Sequence, residues 1–117
     1  NYGKHSRDFT YIDDITLMIT SLLKKPPKLK DSIKNNPYRI FNLSAGKNVK
    51  LMNYIKEIEK NLGKKAKINY LPLQRGDIVN TRSSTKSLRT YVSVKKTTNY
   101  KKGIKEFVKW YKTYARK

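Results

Sequence analysis

The sequence predicts an α/β fold with few strands and three to four helices, in which the sheet is incomplete. Short segments rich in aromatic and β-branched residues alternate with segments whose apolar residues recur at helical spacing. Only two of the predicted strands are long, which is too few for a doubly wound sheet. Each predicted helix also has an apolar stripe without an evident partner, so the chain is expected to be part of a larger α/β protein.

The first predicted elements are a short strand at residues 9–12 and the helix that follows it. The helix is expected because apolar side chains recur at a spacing of three to four residues, at Ile15, Met18, Ile19, Leu22 and Leu23. Asp13 and Asp14 stand at its start, where carboxylates favour the positive end of the helix dipole. Two prolines at 26–27 are predicted to end it.

The middle of the chain is predicted to contribute a polar loop at residues 28–36, a strand at 38–44, a second helix and a third strand at 66–72. The second helix has its apolar residues on one face, at Leu51, Tyr54, Ile55, Ile58 and Leu62. Gly63 follows this stripe directly, at a position where a left-handed cap is common.

The last third of the chain is predicted to contain a turn, LQRGD, a short helix at residues 84–91 and a long final helix. One stripe of the final helix is apolar and consists of Tyr100, Ile104, Phe107, Val108 and Tyr111. The helical spacing of these aromatic residues, together with Trp110, predicts core packing rather than a platform on which nucleic-acid bases stack.

Composition limits the classes of function. The chain has 117 residues, which favours one domain, and its hydrophobic fraction of 37% allows a modest core. The absence of cysteine excludes disulfides and thiolate metal sites, and a single histidine excludes a histidine-rich metal cluster. No apolar run is long enough for a membrane span, and no signal peptide is apparent. A soluble, cytoplasmic protein is therefore expected.

The charge is strongly positive and leaves an alternative function open. Lys and Arg number 28 against 8 acidic residues, and the net charge is +20. From Arg82 to the end there are twelve basic residues and one acid, Glu106. Such a surface can bind nucleic acid or another polyanion non-specifically. The lysines of the final helix fall mostly off its apolar stripe, which favours an ordinary solvated face.

Three blocks of sequence resemble one enzyme family. They are GKHSRDFTYIDDI, YRIFNLSAGKNVKLMNYIKEIEKNLGKKAKINYLPLQRGDI and GIKEFVKWYKTY, in this order over nearly the whole chain. Together they are similar to the carboxyl-terminal part of the extended short-chain dehydrogenase/reductases, in the NAD-dependent nucleotide-sugar epimerase and dehydratase family. Within that family the resemblance is closest to the UDP-glucuronate 4-epimerase type of surface-polysaccharide synthesis.

The resemblance implies a single portion, residues 1–117, that binds the UDP-sugar, while NAD belongs to a missing amino-terminal dinucleotide-binding domain. The five glycines are scattered, and no Tyr-x-x-x-Lys stands where the family keeps its proton-transfer pair. No catalytic residue, cofactor site or metal site is therefore expected in this chain, and the chain alone is expected to be inactive. In the complete enzyme, NAD takes a hydride from C4 of the sugar and returns it to the other face. A homo-oligomer is left open.

The resemblance also implies the substrate-binding residues. Arg7, in SRDFTYIDD, would contact the UDP diphosphate, which suits the planar fork of donors on a guanidinium group. Asp77, in LQRGD, would accept from the ribose hydroxyls. Gln74 and Arg75 belong to the same turn, although Arg75 stands where the glucuronate type usually has proline. The alternatives are that Arg7 pairs with a neighbouring acid, Asp8 or Asp13, and that Asp77 caps its own turn.

Overall fold

A computed structural model describes residues 1–29, 37–94 and 96–115. Within these residues the chain forms two short strands and four helices, in an order that confirms the predicted α/β class. The elements are β1 (Ser6–Arg7), α1 (Ile12–Leu23), β2 (Val49–Lys50), α2 (Leu51–Leu62), α3 (Lys86–Tyr91) and α4 (Tyr100–Tyr114). Most of the predicted polar loop at 28–36 lies outside the described residues.

A small sheet brings distant parts of the chain together. β1 and β2 are antiparallel, with Ser6 opposite Lys50 and Arg7 opposite Val49. On the other side of β1 a parallel bridge joins Ser6 to Asn80. This bridge is held by two backbone hydrogen bonds, from the Ser6 amide to the Val79 carbonyl at 3.1 Å and from the Thr81 amide to the Ser6 carbonyl at 3.2 Å. β1 therefore lies between a segment near residue 50 and a segment near residue 80.

The strands predicted at 9–12, 38–44 and 66–72 are wrong for the described residues, which are irregular there or, at Ile12, already helical. The physical reason is that a strand needs a neighbouring backbone to complete its hydrogen bonds. The segments at 38–44 and 66–72 do not pair with another described segment as strands. β1 instead forms slightly earlier than predicted, at Ser6–Arg7, where two neighbours are present.

Local signals predicted the helices well. α1 carries Asp13 and Asp14 in its first turn and ends at Leu23, before the two prolines. α2 ends at Leu62, and Gly63 adopts the left-handed conformation with φ 72°. Its N–H donates to the Glu59 carbonyl, as a left-handed cap requires. The short helix predicted at 84–91 is confirmed as α3.

The main core lies where α1 and α3 meet the segment that precedes β2. Met18, Leu88 and Val92 are buried, and six partly buried residues pack around them: Ile15, Leu22, Phe41, Leu43, Tyr91 and Val94. A second contact joins α2 to α4, where Ile104 and Val108 are buried. These two clusters hold the four helices around the small sheet.

Much of the apolar surface stays exposed, as the unpartnered stripes predict. Leu23 is 76% exposed and Ile40 83% exposed. The radius of gyration is 18.1 Å, against roughly 13 Å for a compact domain of this length. The prediction that the aromatic residues of α4 form core is wrong for Phe107, Trp110 and Tyr111, which are exposed. Tyr100, at the start of α4, instead stacks on Tyr54 of α2, with the ring centroids 6.3 Å apart.

Glu59 stabilises the loop that follows α2 through a hydrogen bond and an ion pair. Its Oε1 accepts from the Ala66 amide at 2.9 Å, and its Oε2 lies 3.5 Å from Lys65 Nζ. The Ala66 hydrogen bond, assisted by Lys65, holds the pKa of this carboxyl below its ordinary value of 4.5. A lowered pKa adds stability above the unfolded-state value and loses it as pH falls through the folded-state value.

We therefore expect Glu59→Gln to destabilise the chain more at neutral pH than at about pH 3. Urea unfolding midpoints at both pH values measure the effect. Glu57→Gln is the control on the same helix, because Glu57 Oε1 accepts only from the Asn61 side chain among the described residues. A loss of stability in Glu59→Gln that is equally large at both pH values would contradict the prediction.

Candidate substrate-binding site

The guanidinium group of Arg7 is held in place by β1 and the segment beside it. Its Nη1 donates to the Ser6 carbonyl at 3.0 Å and to the Val79 carbonyl at 3.1 Å. Its Nη2 donates to Asp77 Oδ1 at 3.1 Å. The Arg7 and Asp77 side chains are 31% and 39% exposed, so the pair is anchored in the fold but still reachable by a ligand.

Asp77 reaches Arg7 because the LQRGD turn folds back on itself. Gly76 has φ 85°, a conformation that a residue with a Cβ rarely adopts. The turn is closed by the Asp77 amide, which donates to the Gln74 carbonyl at 3.1 Å. The backbone amide of Asp77 thus closes the turn, while its carboxylate pairs with Arg7. The alternative that the carboxylate only caps its own turn is wrong.

Arg7 also does not take the neighbouring acids as partners. The Asp8 carboxylate accepts from the Lys47 amide at 3.4 Å and from the Ser83 amide at 3.3 Å. Asp8 therefore ties two loops together, and among the described residues the ion-pair partner of Arg7 is Asp77, 70 positions away in sequence. The two residues that the sequence singled out from separate motifs meet in space.

Gln74 and Arg75 contribute less than their place in the motif suggests. Gln74 supplies the carbonyl that closes the turn. Both side chains are exposed, and neither forms a hydrogen bond or ion pair with a described residue. The structure therefore brings Arg7 and Asp77 together and leaves the side chains of Gln74 and Arg75 in solvent beside them.

His5 is a site residue that the sequence reasoning missed. Its Nε2 lies 2.9 Å from Asp77 Oδ2, an ion pair when the imidazole is protonated, although the atoms are not aligned as a hydrogen bond. Its side chain is only 13% exposed. The available signal was spacing, because side chains two residues apart lie on the same face of a strand and His5 stands two residues before Arg7.

The site can still take an anion. A guanidinium group has five N–H donors. Two on Nη1 and one on Nη2 are engaged, so Nε and the second hydrogen of Nη2 have no partner among the described residues. Two such donors suit the oxygens of a phosphate group. Asp77 likewise retains acceptor capacity, since each carboxylate oxygen has two lone pairs.

The sequence has one Tyr-x-x-x-Lys, from Tyr91 to Lys95. Lys95 lies outside the described residues, and α3 ends at Tyr91. The Tyr91 hydroxyl donates to the Pro26 carbonyl at 3.3 Å, at an exposed position. Burial raises the pKa of Tyr54, and partial burial followed by the charge of Asp13 raises the pKa of Tyr11.

Comparison with known proteins agrees with this picture. No protein-family model matches the chain. It is 40% identical to an uncharacterized 37.6 kDa protein in the cld 5' region of Escherichia coli O111:H-, over 97% of this chain and 37% of that protein. It is 35% identical to a probable UDP-glucuronate 4-epimerase of Rhizobium meliloti, over 93% of this chain and 35% of that protein. The chain thus spans about a third of the length of these relatives.

A solved structure shows the same architecture. It is a mutant UDP-glucuronic acid 4-epimerase from Bacillus cereus in complex with UDP-4-deoxy-4-fluoro-glucuronic acid and NAD. The TM-score is 0.72 at 25% identity, over 93% of this chain and 33% of that one. Our chain is therefore homologous to a carboxyl-terminal segment of the NAD-dependent nucleotide-sugar epimerases of the extended short-chain dehydrogenase/reductase family.

Proposed function

We propose that residues 1–117 are the UDP-sugar-binding carboxyl-terminal part of a 4-epimerase of the UDP-glucuronate/galacturonate type, which works in the cytoplasm in surface-polysaccharide synthesis. NAD does not fit this chain, because its five glycines are scattered and form no dinucleotide loop. The cofactor would be held by an amino-terminal domain outside these residues. None of the helices among the described residues is long and apolar enough to cross a membrane.

The observation that carries the proposal is the contact between Arg7 and Asp77. Two motifs far apart in sequence place a cation and a carboxylate 3.1 Å from one another, on a partly exposed surface. A UDP-sugar presents a diphosphate close to a ribose with paired hydroxyls. Arg7 would bind the diphosphate through its two remaining donors, and Asp77 would accept from the ribose hydroxyls. The role of this chain is thus to bind and orient the substrate.

A second candidate function is polyanion binding by the lysines of α4. Lys101, Lys102, Lys105, Lys109 and Lys112 are all exposed. Affinity on such a face would depend on salt and not on sequence, since it comes from the release of counterions. A nucleotide site at Arg7 would instead depend on that one residue.

UDP binding separates the two candidates. We expect Arg7→Ala to weaken UDP binding by about 1.5–3 kcal/mol, the range for a charged hydrogen bond, which is roughly 10- to 150-fold in affinity. Arg7→Lys keeps the charge without the fork and should fall between wild type and Arg7→Ala. Titrations followed by NMR should show shifts near residues 2–8 and 73–77.

Lys101→Ala is the matched control, because it removes an exposed cation of α4 and leaves Arg7 and Asp77 unchanged. It should leave UDP affinity almost unchanged. Equal losses in Arg7→Ala and Lys101→Ala, or shifts spread along α4, would reject the nucleotide site and favour the polyanion candidate.

A further inference from the structure

We propose a second anion site, on the face of the small sheet opposite Arg7 and Asp77, that binds a phosphate ester. Side chains alternate between the two faces of a strand, so Ser6 points away from His5 and Arg7, which both contact Asp77. Lys50 stands opposite Ser6 in the register and shares its face. Asn80 joins the same face, because the Ser6 hydroxyl donates to its Oδ1.

A cavity of about 710 Å³ opens on this face. Three cations, Lys4, Lys50 and Arg82, line it, His5 also borders it, and none of the lining residues is a carboxylate. Three cations around one concavity repel each other unless an anion lies between them. The charge therefore favours an anionic ligand.

One polar side chain at the cavity, Asn80, has free hydrogen-bond donors. Ser6 is buried, and its hydroxyl uses the Asn80 oxygen as acceptor, which leaves the two N–H groups of the Asn80 amide without a partner among the described residues. Asn48 is fixed by its Nδ2, which donates to the Thr81 carbonyl at 3.0 Å. An amide with free donors beside three cations matches the oxygens of a phosphate group.

The cavity is larger than a single phosphate needs and has an apolar wall. Tyr2 and Met52 line it, and a Cβ on Gly3 would stand only 2.9 Å from Met52 Sδ. The close approach of the chain at Gly3 thus depends on glycine, which also has φ 75°. A thioether and an aromatic ring beside the cations suit a ligand that carries a carbon ring on its phosphate.

The test uses the full 117-residue chain with Arg7→Ala, which weakens the Arg7–Asp77 site. We expect this variant to bind UMP in a saturable way by calorimetry, and to bind inorganic phosphate more weakly, since phosphate cannot use the apolar wall. Adding Lys50→Glu should weaken UMP binding by about tenfold or more. The same substitution at Lys101, an exposed lysine of α4, is the control and should change affinity far less.

A second pair of variants controls for a general effect of net charge on UMP binding. Asn80→Asp has the same shape, replaces the donors by a carboxylate and should also weaken UMP binding. Asn53→Asp makes the same change at an exposed position of α2 and should not. Equal effects of each variant and its control, or no saturable UMP binding in the Arg7→Ala chain, would overturn the proposal. Neither result affects the comparison of UDP binding by the wild type and by Arg7→Ala, which tests the substrate site separately.

Discussion

The 117-residue chain by itself is expected to show no interconversion of UDP-glucuronate and UDP-galacturonate in the presence of NAD. Proton transfer by a positioned side chain contributes about 10²- to 10⁴-fold to such reactions, and the family resemblance implies that the Tyr-x-x-x-Lys pair that does it lies outside this chain. Positioning of the cofactor against the sugar contributes further, and the chain has no dinucleotide loop. Binding without turnover is the expected behaviour.

Chromatography of the UDP-sugars after incubation with purified chain provides the measurement. The unmutated UDP-glucuronic acid 4-epimerase from Bacillus cereus, assayed beside it, checks that the conditions allow turnover. Interconversion that increases with the amount of purified chain and falls in Arg7→Ala would mean that these residues contain the complete catalytic apparatus. It would reject the proposal that this chain only binds the substrate.

Leu88→Ala is expected to cost about 2–5 kcal/mol of unfolding free energy. Leu88 is fully buried and packs with Met18 and Val92 at the centre of the main core. The substitution removes apolar contacts and leaves a cavity that the surrounding helices fill only in part. A small, open core gives a low free energy of unfolding. The variant is therefore expected to lose its cooperative urea transition or to shift it strongly to a lower urea concentration.

Leu17→Ala is the matched control. Leu17 lies on α1, the helix that carries Met18, but it is 61% exposed. We expect a change within about 0.5 kcal/mol, as at most exposed positions. If both variants lose the same stability, the assigned core is wrong, and the outer face of α1 is buried in solution, for example by self-association.

The helices could be predicted from local sequence because their hydrogen bonds are local. Each N–H of a helix pairs with a carbonyl four residues earlier, so spacing and caps within one segment suffice. Gly63 shows this directly, since its position after the Leu51–Leu62 stripe predicted the left-handed cap that ends α2. The spacing does not show which residues of an apolar stripe pack against another element. For this reason the exposure of the aromatic residues of α4 could not be predicted from it.

Tertiary structure decided the strands and the final form of the site. Segments 38–44 and 66–72 have the composition of strands, but a strand forms only where another backbone completes its hydrogen bonds. The resemblance of two sequence motifs to the epimerase family singled out Arg7 and Asp77. Only the folded chain brings them within 3.1 Å, adds His5 and leaves the Gln74 and Arg75 side chains in solvent. Contacts across 70 residues depend on how the sheet and the Gly76 turn place the backbone, which local sequence does not encode.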